Sequence, residues 1–195
     1  MKALQRFLVA AVLITAAVAF GQSANSALPQ PSASVASTVD REVSTIEDLV
    51  IATADVMPEE DYNFSPESLK IQKSDYQGVR SFAAELKHIG ASNYFLWSPV
   101  TGDKLPDDLG DGNGPEKLKS KAEIIQFVKD SFALGHKAAA SLTAESMLQI
   151  PAGSKSPRLY LATFAVAHAY DHYGQMVEYL RMNGIVPPAS RQKSD

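Results

Sequence analysis

Two of the four histidines, His168 and His172, lie four residues apart in an apolar stretch near the end of the chain. At about 100° per residue, this spacing places both imidazoles on one face of a helix. The same face carries mostly apolar side chains, namely Leu161, Phe164, Ala165, Met176 and Tyr179. The pattern therefore predicts that both rings face the protein interior.

Two buried imidazoles need partners, because a buried ring nitrogen without one costs roughly 1–3 kcal/mol. Each ring could bond to a backbone carbonyl or a tyrosine hydroxyl, or the pair could bind a metal ion. The spacing alone leaves these explanations open. Polar side chains close enough in sequence to orient the rings, although each is also typical of an ordinary helix surface, are Asn93, Tyr94, Asp171, Tyr173 and Gln175.

A third histidine, His88, would favour a metal site if it joined the pair. It lies on an earlier helical segment, off the main apolar stripe and on a second face with Ala84, Ala91 and Phe95. The small residues on this face would let another helix approach closely. Helix periodicity thus permits His88 to reach the pair but does not require it. His136, at the flank of a later apolar face, is interpreted as a surface histidine.

The remaining chemistry of the chain is limited. Cysteine is absent, which excludes disulfides, thiolate ligands and lipid attachment at an N-terminal cysteine. No Ser-His-Asp grouping, phosphate-binding loop or paired-carboxylate motif offers another reaction. Three neutral imidazoles suit a divalent ion such as zinc, nickel, iron or manganese. With three protein ligands, a coordination position would stay open to water, an external thiol or another substrate.

Start and stop signals predict helices that could position these side chains. The first helix is predicted to begin at the capping box Ser44-Thr45-Ile46-Glu47 and to end before Pro58. The second runs from about Val79 to Trp97 and stops before Pro99. An acidic, aromatic connection over residues 58–77 separates the two.

Similar signals define the third and fourth helices. The third begins at the capping box Ser120-Lys121-Ala122-Glu123, and Ser156-Pro157 opens the fourth, which Gly184 and Pro187-Pro188 close. The connection at about residues 98–119 is too long for a tight turn, so it would allow a crossover or overhang the site. Because the 195-residue chain has 45% hydrophobic residues, four amphipathic helices of this length favour one all-α, four-helix-bundle domain.

Several segments together resemble a known family. They are Val79-Arg80-Ser81-Phe82 before His88, Thr163-Phe164 before the histidine pair, His172-Tyr173-Gly174, and Tyr179-Leu180-Arg181 followed by Gly184-Ile185-Val186-Pro187-Pro188. This arrangement is similar to the DinB-like superfamily, bacterial four-helix-bundle proteins related to the thiol-dependent S-transferases. The resemblance covers roughly residues 41–190, and its most specific part is the last helix with its Pro-Pro stop.

The resemblance implies up-down-down-up connectivity and a metal site. In that family one histidine of the second helix and two of the last helix hold a divalent metal, which implies His88, His168 and His172 as the ligands here. It further implies a metal-dependent thiol S-transferase or hydrolase acting on a small-molecule substrate, with a thiol as one candidate. The alternative is a non-catalytic, stress-associated exported protein in which the ion chiefly fastens two helices together.

The first residues have the pattern of an export signal. Lys2 and Arg6 precede an apolar run from Phe7 to about Phe20, and Ala17-Val18-Ala19 supplies the small residues that a signal peptidase needs. We expect a signal peptide over residues 1–19, a flexible linker over 20–40 and a periplasmic or secreted domain over 41–190. The run is shorter than the about 20 residues of a membrane span, which favours a cleaved signal. An uncleaved N-terminal anchor is the alternative.

The charge of the mature chain restricts its partners. Cleavage after Ala19 would leave 16 basic and 22 acidic residues, a net charge of −6. This excess argues against nucleic acid and against anionic membrane surfaces. We expect a small-molecule substrate, no stable membrane span after cleavage, and a homodimer as a further candidate assembly.

Overall fold

The computed structural model describes residues 33–192, and four long helices account for most of them. They are α1 (Val35–Val56), α2 (Phe82–Thr101), α3 (Lys121–Ala140) and α4 (Arg158–Met182). Short 3₁₀ helices lie in the connections and after α4, at Glu59–Asp61, Pro66–Leu69, Gly110–Gly112 and Pro188–Ser190. Because residues 33–192 contain no strand, the predicted all-α class is confirmed.

α1 begins earlier than the sequence predicts. Ser34 caps it: the Ser34 hydroxyl accepts from the Ser37 backbone N–H at 3.0 Å, and the Ser37 hydroxyl accepts from the Ser34 backbone N–H at 2.9 Å. Serine thus takes the place of the glutamate in a capping box. The predicted start at Ser44 is wrong, because the Ser44 hydroxyl donates to the Asp40 carbonyl at 2.9 Å inside the helix.

This earlier start shortens the predicted linker. Residues 35–40, which the sequence assigns to the linker, belong to α1. The predicted signal peptide over residues 1–19 and the linker as far as residue 32 lie outside the described residues.

α2 differs from its prediction at both ends. Ser81 caps its start, so the helix begins at Phe82, three residues later than predicted. Its end passes Pro99, where the sequence predicts a stop, and reaches Thr101 before Gly102 adopts a φ of +79°. Pro99 lies two residues before the end of the helix, and its missing amide hydrogen costs the helix one hydrogen bond, the one to the Phe95 carbonyl.

The predicted starts of α3 and α4 are confirmed. Ser120 caps α3, and the Glu123 carboxylate accepts from the Ser120 backbone N–H at 3.0 Å, which completes the predicted capping box. Pro157 precedes α4, and Gly184 adopts a φ of +73° just after the helix ends. That left-handed conformation favours glycine, as expected of a residue that terminates a helix.

Hydrogen bonds show that α1 ends where α2 and α3 begin. The Tyr62 hydroxyl donates to the Ala54 carbonyl of α1 at 2.8 Å, and the Tyr62 carbonyl accepts from the Ala83 backbone N–H of α2 at 2.8 Å. Lys121, the first residue of α3, donates from Nζ to the Asp55 carbonyl of α1 at 2.7 Å. α2 and α3 therefore both start at the end of the bundle that α1 reaches.

α4 completes the bundle in the direction of α1. Near its start, Arg158 donates to the hydroxyl of Ser141, which follows α3, at 2.9 Å. Near its end, the Tyr179 hydroxyl donates to the carbonyl of Arg80, which precedes α2, at 3.1 Å. α1 and α4 thus run one way and α2 and α3 the other, as the predicted up-down-down-up connectivity requires. α2 packs against α3 and α4, and α1 lies diagonally across from it.

The interior of the bundle is packed around large side chains of the neighbouring helices. Trp97 of α2 and Phe132 of α3 are fully buried with ring centroids 5.8 Å apart. The Trp97 indole N–H donates to the Ala162 carbonyl of α4 at 3.2 Å. Within residues 33–192, no helix combines the length and the apolar character that crossing a membrane requires.

The connection between α2 and α3 returns along α2 as a crossover. Lys87 of α2 donates from Nζ to the Pro115 carbonyl at 3.3 Å. A Cβ atom added to Gly114 would lie 2.6 Å from the Lys87 Cβ, which is too close for two carbon atoms. The backbone of the connection therefore approaches α2 so closely that only glycine fits at this position. This close approach brings the connection beside His88, the next residue of α2.

Candidate metal centre

The three predicted histidines meet between α2 and α4. The ring centroids of His168 and His172 are 4.5 Å apart, those of His88 and His172 are 4.6 Å apart, and those of His88 and His168 are 5.0 Å apart. One potential ligand atom from each residue lies within 4.8 Å of the other two. Helix periodicity left the position of His88 open, whereas the packing of α2 against α4 places its ring against the other two.

The spacing of residues within α2 and within α4 places the side chains of the site on one face of each helix. Ser81 fixes the start of α2 so that Glu85 and His88, three residues apart, share one face of the helix. His168 and His172, four residues apart, share one face of α4 in the same way. Since α2 and α4 pack against each other, these faces meet.

Glu85 orients His172 from within the core. Oε2 of Glu85 lies 2.6 Å from Nδ1 of His172, and the side chains are 2% and 7% exposed. Because a carboxylate at this position accepts from Nδ1–H, the lone pair of the neutral ring is left on Nε2. Nε2 of His172 lies 3.2 Å from Nε2 of His168, so it points towards the centre of the cluster.

A backbone carbonyl plays the same part for His88. Nδ1 of His88 lies 2.5 Å from the carbonyl oxygen of Gly112, which can only accept. The ring therefore donates from Nδ1 and keeps its lone pair on Nε2. Gly112 belongs to the crossover connection, so the segment predicted to overhang the site does contact a site residue.

His168 is the least constrained of the three rings. Its Nδ1 is buried and has no hydrogen-bond partner among residues 33–192. Its Nε2 has only the Nε2 of His172 as a neighbour at hydrogen-bond distance. A cation at the centre would replace this contact between two nitrogens with two ligand bonds, and the residues present fit such an ion.

The pKa values of two of the rings favour the neutral, metal-binding form. Burial lowers the pKa of His168 to about 4, and the charges that His172 and His88 would carry act in the same direction. Burial is also the largest cause that lowers the pKa of His88, against the opposing hydrogen bond to Gly112. Both rings therefore resist protonation at neutral pH, as metal ligands must.

The cluster has an accessible side. His172 is buried, whereas His88 and His168 are half-buried. Phe164, which the sequence pattern places on the interior face of α4, is 42% exposed and stacks on Tyr160 with ring centroids 5.4 Å apart. Its ring lies 6.3 Å from that of His168. Phe164 thus departs from the predicted interior arc, of which Leu161 and Ala165 are buried, and an exposed aromatic surface borders the site.

A family model matches the part of the chain that carries the three histidines. The model described as the DinB superfamily matches residues 43–176, more than half of the chain. The chain belongs to the DinB superfamily. All three histidines lie inside the matched range of the superfamily. No curated protein matches the chain.

Most of the side chains considered as candidates to orient the rings lie elsewhere in this DinB-superfamily bundle, as ordinary helix residues would. The Asn93 amide donates to the Ser131 hydroxyl of α3 at 3.0 Å, away from the histidines. The Gln175 amide lies 3.5 Å from Nδ1 of His172 and 3.4 Å from Asp171, so its contact with the ring is marginal. Tyr94 and Tyr173 make no hydrogen bond to the three rings.

Glu85 is the site residue that the sequence analysis missed. A signal was present, because Glu85 interrupts the apolar stripe formed by Phe82, Leu86 and Ile89. A carboxylate among such residues must either be exposed or have a buried partner.

His136 takes no part in the cluster, but it is not a free surface residue either. Its Nδ1 lies 2.7 Å from Asp40 and its Nε2 lies 2.9 Å from Glu47, both on α1. The side chain is 35% exposed. The ring is thus partly exposed at the surface and outside the metal site, as interpreted, but packing of α1 against α3 places it between two carboxylates, which the sequence did not indicate.

Proposed function

We propose that this DinB-superfamily protein binds one divalent ion through His88, His168 and His172 and presents it to a small-molecule ligand. The observation that carries the proposal is the convergence of three imidazoles, two of them with Nδ1 bonded to Glu85 and Gly112. Zinc, nickel, iron and manganese are the candidate ions, because imidazole without thiolate suits all four.

The accessible side of the cluster favours a ligand-binding site over a closed structural one. Within residues 33–192, no fourth histidine or carboxylate belongs to the cluster, whereas structural zinc sites are closed by four protein ligands. When bound, a divalent ion supplies Lewis acidity to whatever ligand occupies the open position. The reaction that fits best is thiol S-transfer or hydrolysis, as the superfamily resemblance implies.

The residues around the cluster define what the chain itself contributes. Glu85 and the Gly112 carbonyl hold two rings in the tautomer that leaves Nε2 free. The stacked Tyr160–Phe164 pair offers a flat apolar surface beside His168. Such a surface suits the hydrocarbon part of an organic substrate.

The second candidate function is a non-catalytic metal-binding protein. The location of the three histidines favours this function. His88 lies on α2 and the other two histidines lie on α4, so a bound ion would join the two helices. The two candidates differ in whether the ion accepts an external ligand.

A ligand-exchange experiment separates the two candidates. Protein loaded with cobalt would be titrated with β-mercaptoethanol while the thiolate-to-cobalt charge-transfer absorption is recorded. We expect saturable absorption in the wild type. His168→Ala, mixed with the same amount of cobalt and then freed of unbound metal by gel filtration, should show none because it does not retain the ion. Cobalt that stays bound but takes up no thiol would contradict the S-transferase and favour the structural function.

We further propose that the domain acts outside the cytoplasm, as a periplasmic or secreted protein. The support is the sequence pattern of Lys2 and Arg6, the apolar run and Ala17-Val18-Ala19. N-terminal sequencing of the purified protein tests it. A start near Phe20 is expected, whereas intact Met1 on protein from the cytoplasm would reject export.

A further inference from the structure

Arg80 is a half-buried cation beside the histidine cluster that the metal site itself does not require. Its Nη2 donates to Oδ1 of Asn113 at 3.2 Å. Asn113 directly follows Gly112, whose carbonyl lies 2.5 Å from Nδ1 of His88. Asn113 therefore binds the Arg80 guanidinium, and the residue before it, Gly112, binds a histidine of the cluster.

The backbone of Arg80 also makes a hydrogen bond to α4. Its carbonyl accepts from the Tyr179 hydroxyl at 3.1 Å, seven residues beyond His172 on the same helix. Arg80 therefore lies at the end of the cluster away from Phe164, which borders His168 from earlier in α4.

No carboxylate neutralises this guanidinium. The ion pairs found among residues 33–192 do not include Arg80, and its single side-chain hydrogen bond uses one of five N–H donors. Glu85, the buried carboxylate of the site, is engaged with His172. The remaining donors of Arg80 are consequently available to a ligand.

The charge balance makes such a ligand an anion. A divalent ion held by three neutral imidazoles adds two positive charges to that of Arg80. Glu85 and the exposed Asp171, which acts on His168, supply two negative charges, so one positive charge remains. Like charges in a partly dehydrated site repel each other unless an anion lies between or beside them. Guanidinium groups bind carboxylates through two parallel hydrogen bonds, whereas a lysine offers only a point charge.

We propose that Arg80 recognises the carboxylate of the small molecule that occupies the open coordination position, so that the substrate class is a thiol bearing a carboxylate. This inference rests on the proposed function. The thiol end binds at the three histidines, and the carboxylate end lies against Arg80. Arg80 is then a specificity-determining residue that touches the substrate without contacting the ion.

The test compares two thiols that differ in one charge. Cobalt-loaded wild type would be titrated with β-mercaptopropionate and with its neutral amide, β-mercaptopropionamide, and binding followed by the thiolate-to-cobalt absorption. We expect the carboxylate to bind about tenfold more tightly than the amide, as a charge-assisted hydrogen bond would provide. Arg80→Gln should abolish this preference by weakening only the carboxylate, and Arg80→Lys should keep part of it.

Matched controls keep the outcomes distinct. Arg41→Gln removes a positive charge from an exposed position of α1 and should leave the preference unchanged. The cobalt spectrum before titration shows whether each variant retains its metal site, and the comparison of the two thiols on the wild type needs no variant. Equal affinity for both thiols in the wild type would overturn the inference while leaving the proposed function intact. Absence of any thiol binding would reject the proposed function, and the inference with it.

Discussion

Oε2 of Glu85 lies 2.6 Å from Nδ1 of His172, and both side chains are buried between α2 and α4. This pair joins the two helices that carry the histidine cluster. A buried carboxylate needs such a partner, and a metal-ligating imidazole needs such an acceptor. The two requirements are satisfied by one contact, which makes Glu85 the principal positioning residue of the site.

Substitution of Glu85 should weaken metal binding without removing a ligand. Glu85→Gln keeps an acceptor for Nδ1–H but loses the charge, and Glu85→Ala leaves the His172 nitrogen unpaired. We expect metal affinity to fall roughly 10–100-fold in Glu85→Ala and by less in Glu85→Gln. Competition against a chromophoric chelator measures both constants. Affinity that is unchanged in Glu85→Ala would show that the carboxylate does not support the site.

The metal-free protein should lose stability as the pH falls, because of His168. The pKa of His168 is about 4 in the folded state, below the usual value of about 6.5 in the unfolded chain. Between pH of about 4 and about 6.5 the unfolded state binds more protons than the folded state, so the free energy of unfolding falls as the pH falls. The stability that neutral His168 allows is fully present above pH of about 6.5 and is lost towards pH of about 4. Because the ring is only half-buried, solvent screening should limit the loss to about 1–2 kcal/mol.

Urea unfolding of the metal-free wild type and His168→Gln at several pH values measures this effect. The two proteins should differ in the slope of stability against pH between about 4 and 6.5. Parallel pH profiles would mean that His168 titrates normally in the fold.

His136 should produce the opposite pH dependence. Burial alone would lower its pKa, but the hydrogen bonds and negative charges of Asp40 and Glu47 outweigh burial and raise it. The stabilisation that protonated His136 provides is therefore fully present below about pH 6.5, the pKa of histidine in the unfolded chain. It is lost as the pH rises through the pKa of His136 in the folded protein. Since the side chain is 35% exposed, screening should limit the effect to about 1 kcal/mol.

A double-mutant cycle with His136→Gln and Glu47→Gln, measured by urea unfolding at pH of about 5.5 and 8.5, isolates this contribution. The coupling energy should be larger at the lower pH. A coupling that grows with rising pH would contradict the assignment.

Two helical glycines provide a paired test of the packing. A Cβ added to Gly135 of α3 would lie 2.5 Å from the buried Trp97 ring, whereas one added to Gly174 of α4 would meet nothing within 4 Å. Gly135→Ala should therefore cost about 1–3 kcal/mol through overpacking. Gly174→Ala should stabilise by about 0.5–1 kcal/mol, because alanine loses less conformational entropy in a helix. Thermal unfolding of both variants measures the difference, and equal effects would contradict the packing of α2 against α3.

The sequence predicts some of these features because they depend on local chemistry. The capping box at Ser120 and the proline before α4 define helix ends through contacts within a few residues. The start of α1 was missed because Ser34 and Ser37 cap the helix without the usual glutamate. Local patterns recognise the common form of a cap more readily than its variants.

The site was predictable only in part, for a physical reason. The spacing of His168 and His172 indicates a shared face, but the position of His88 depends on how α2 packs against α4, which periodicity does not contain. The same limit applies to Glu85 and to His136, whose partners lie 87 and 96 residues away in the chain. The family resemblance supplied His88 as the third candidate ligand, and the helix packing places its ring beside the other two.

The metal affinity of His88→Ala, compared with wild type and His136→Ala, tests the central claim most directly. Metal content and a chelator-competition titration would be measured on each protein, with melting temperatures before and after chelation. The three-histidine site predicts about one divalent ion per chain in the wild type and His136→Ala, and a large loss of affinity and of chelator-sensitive stability in His88→Ala. Unchanged metal affinity in His88→Ala would contradict it.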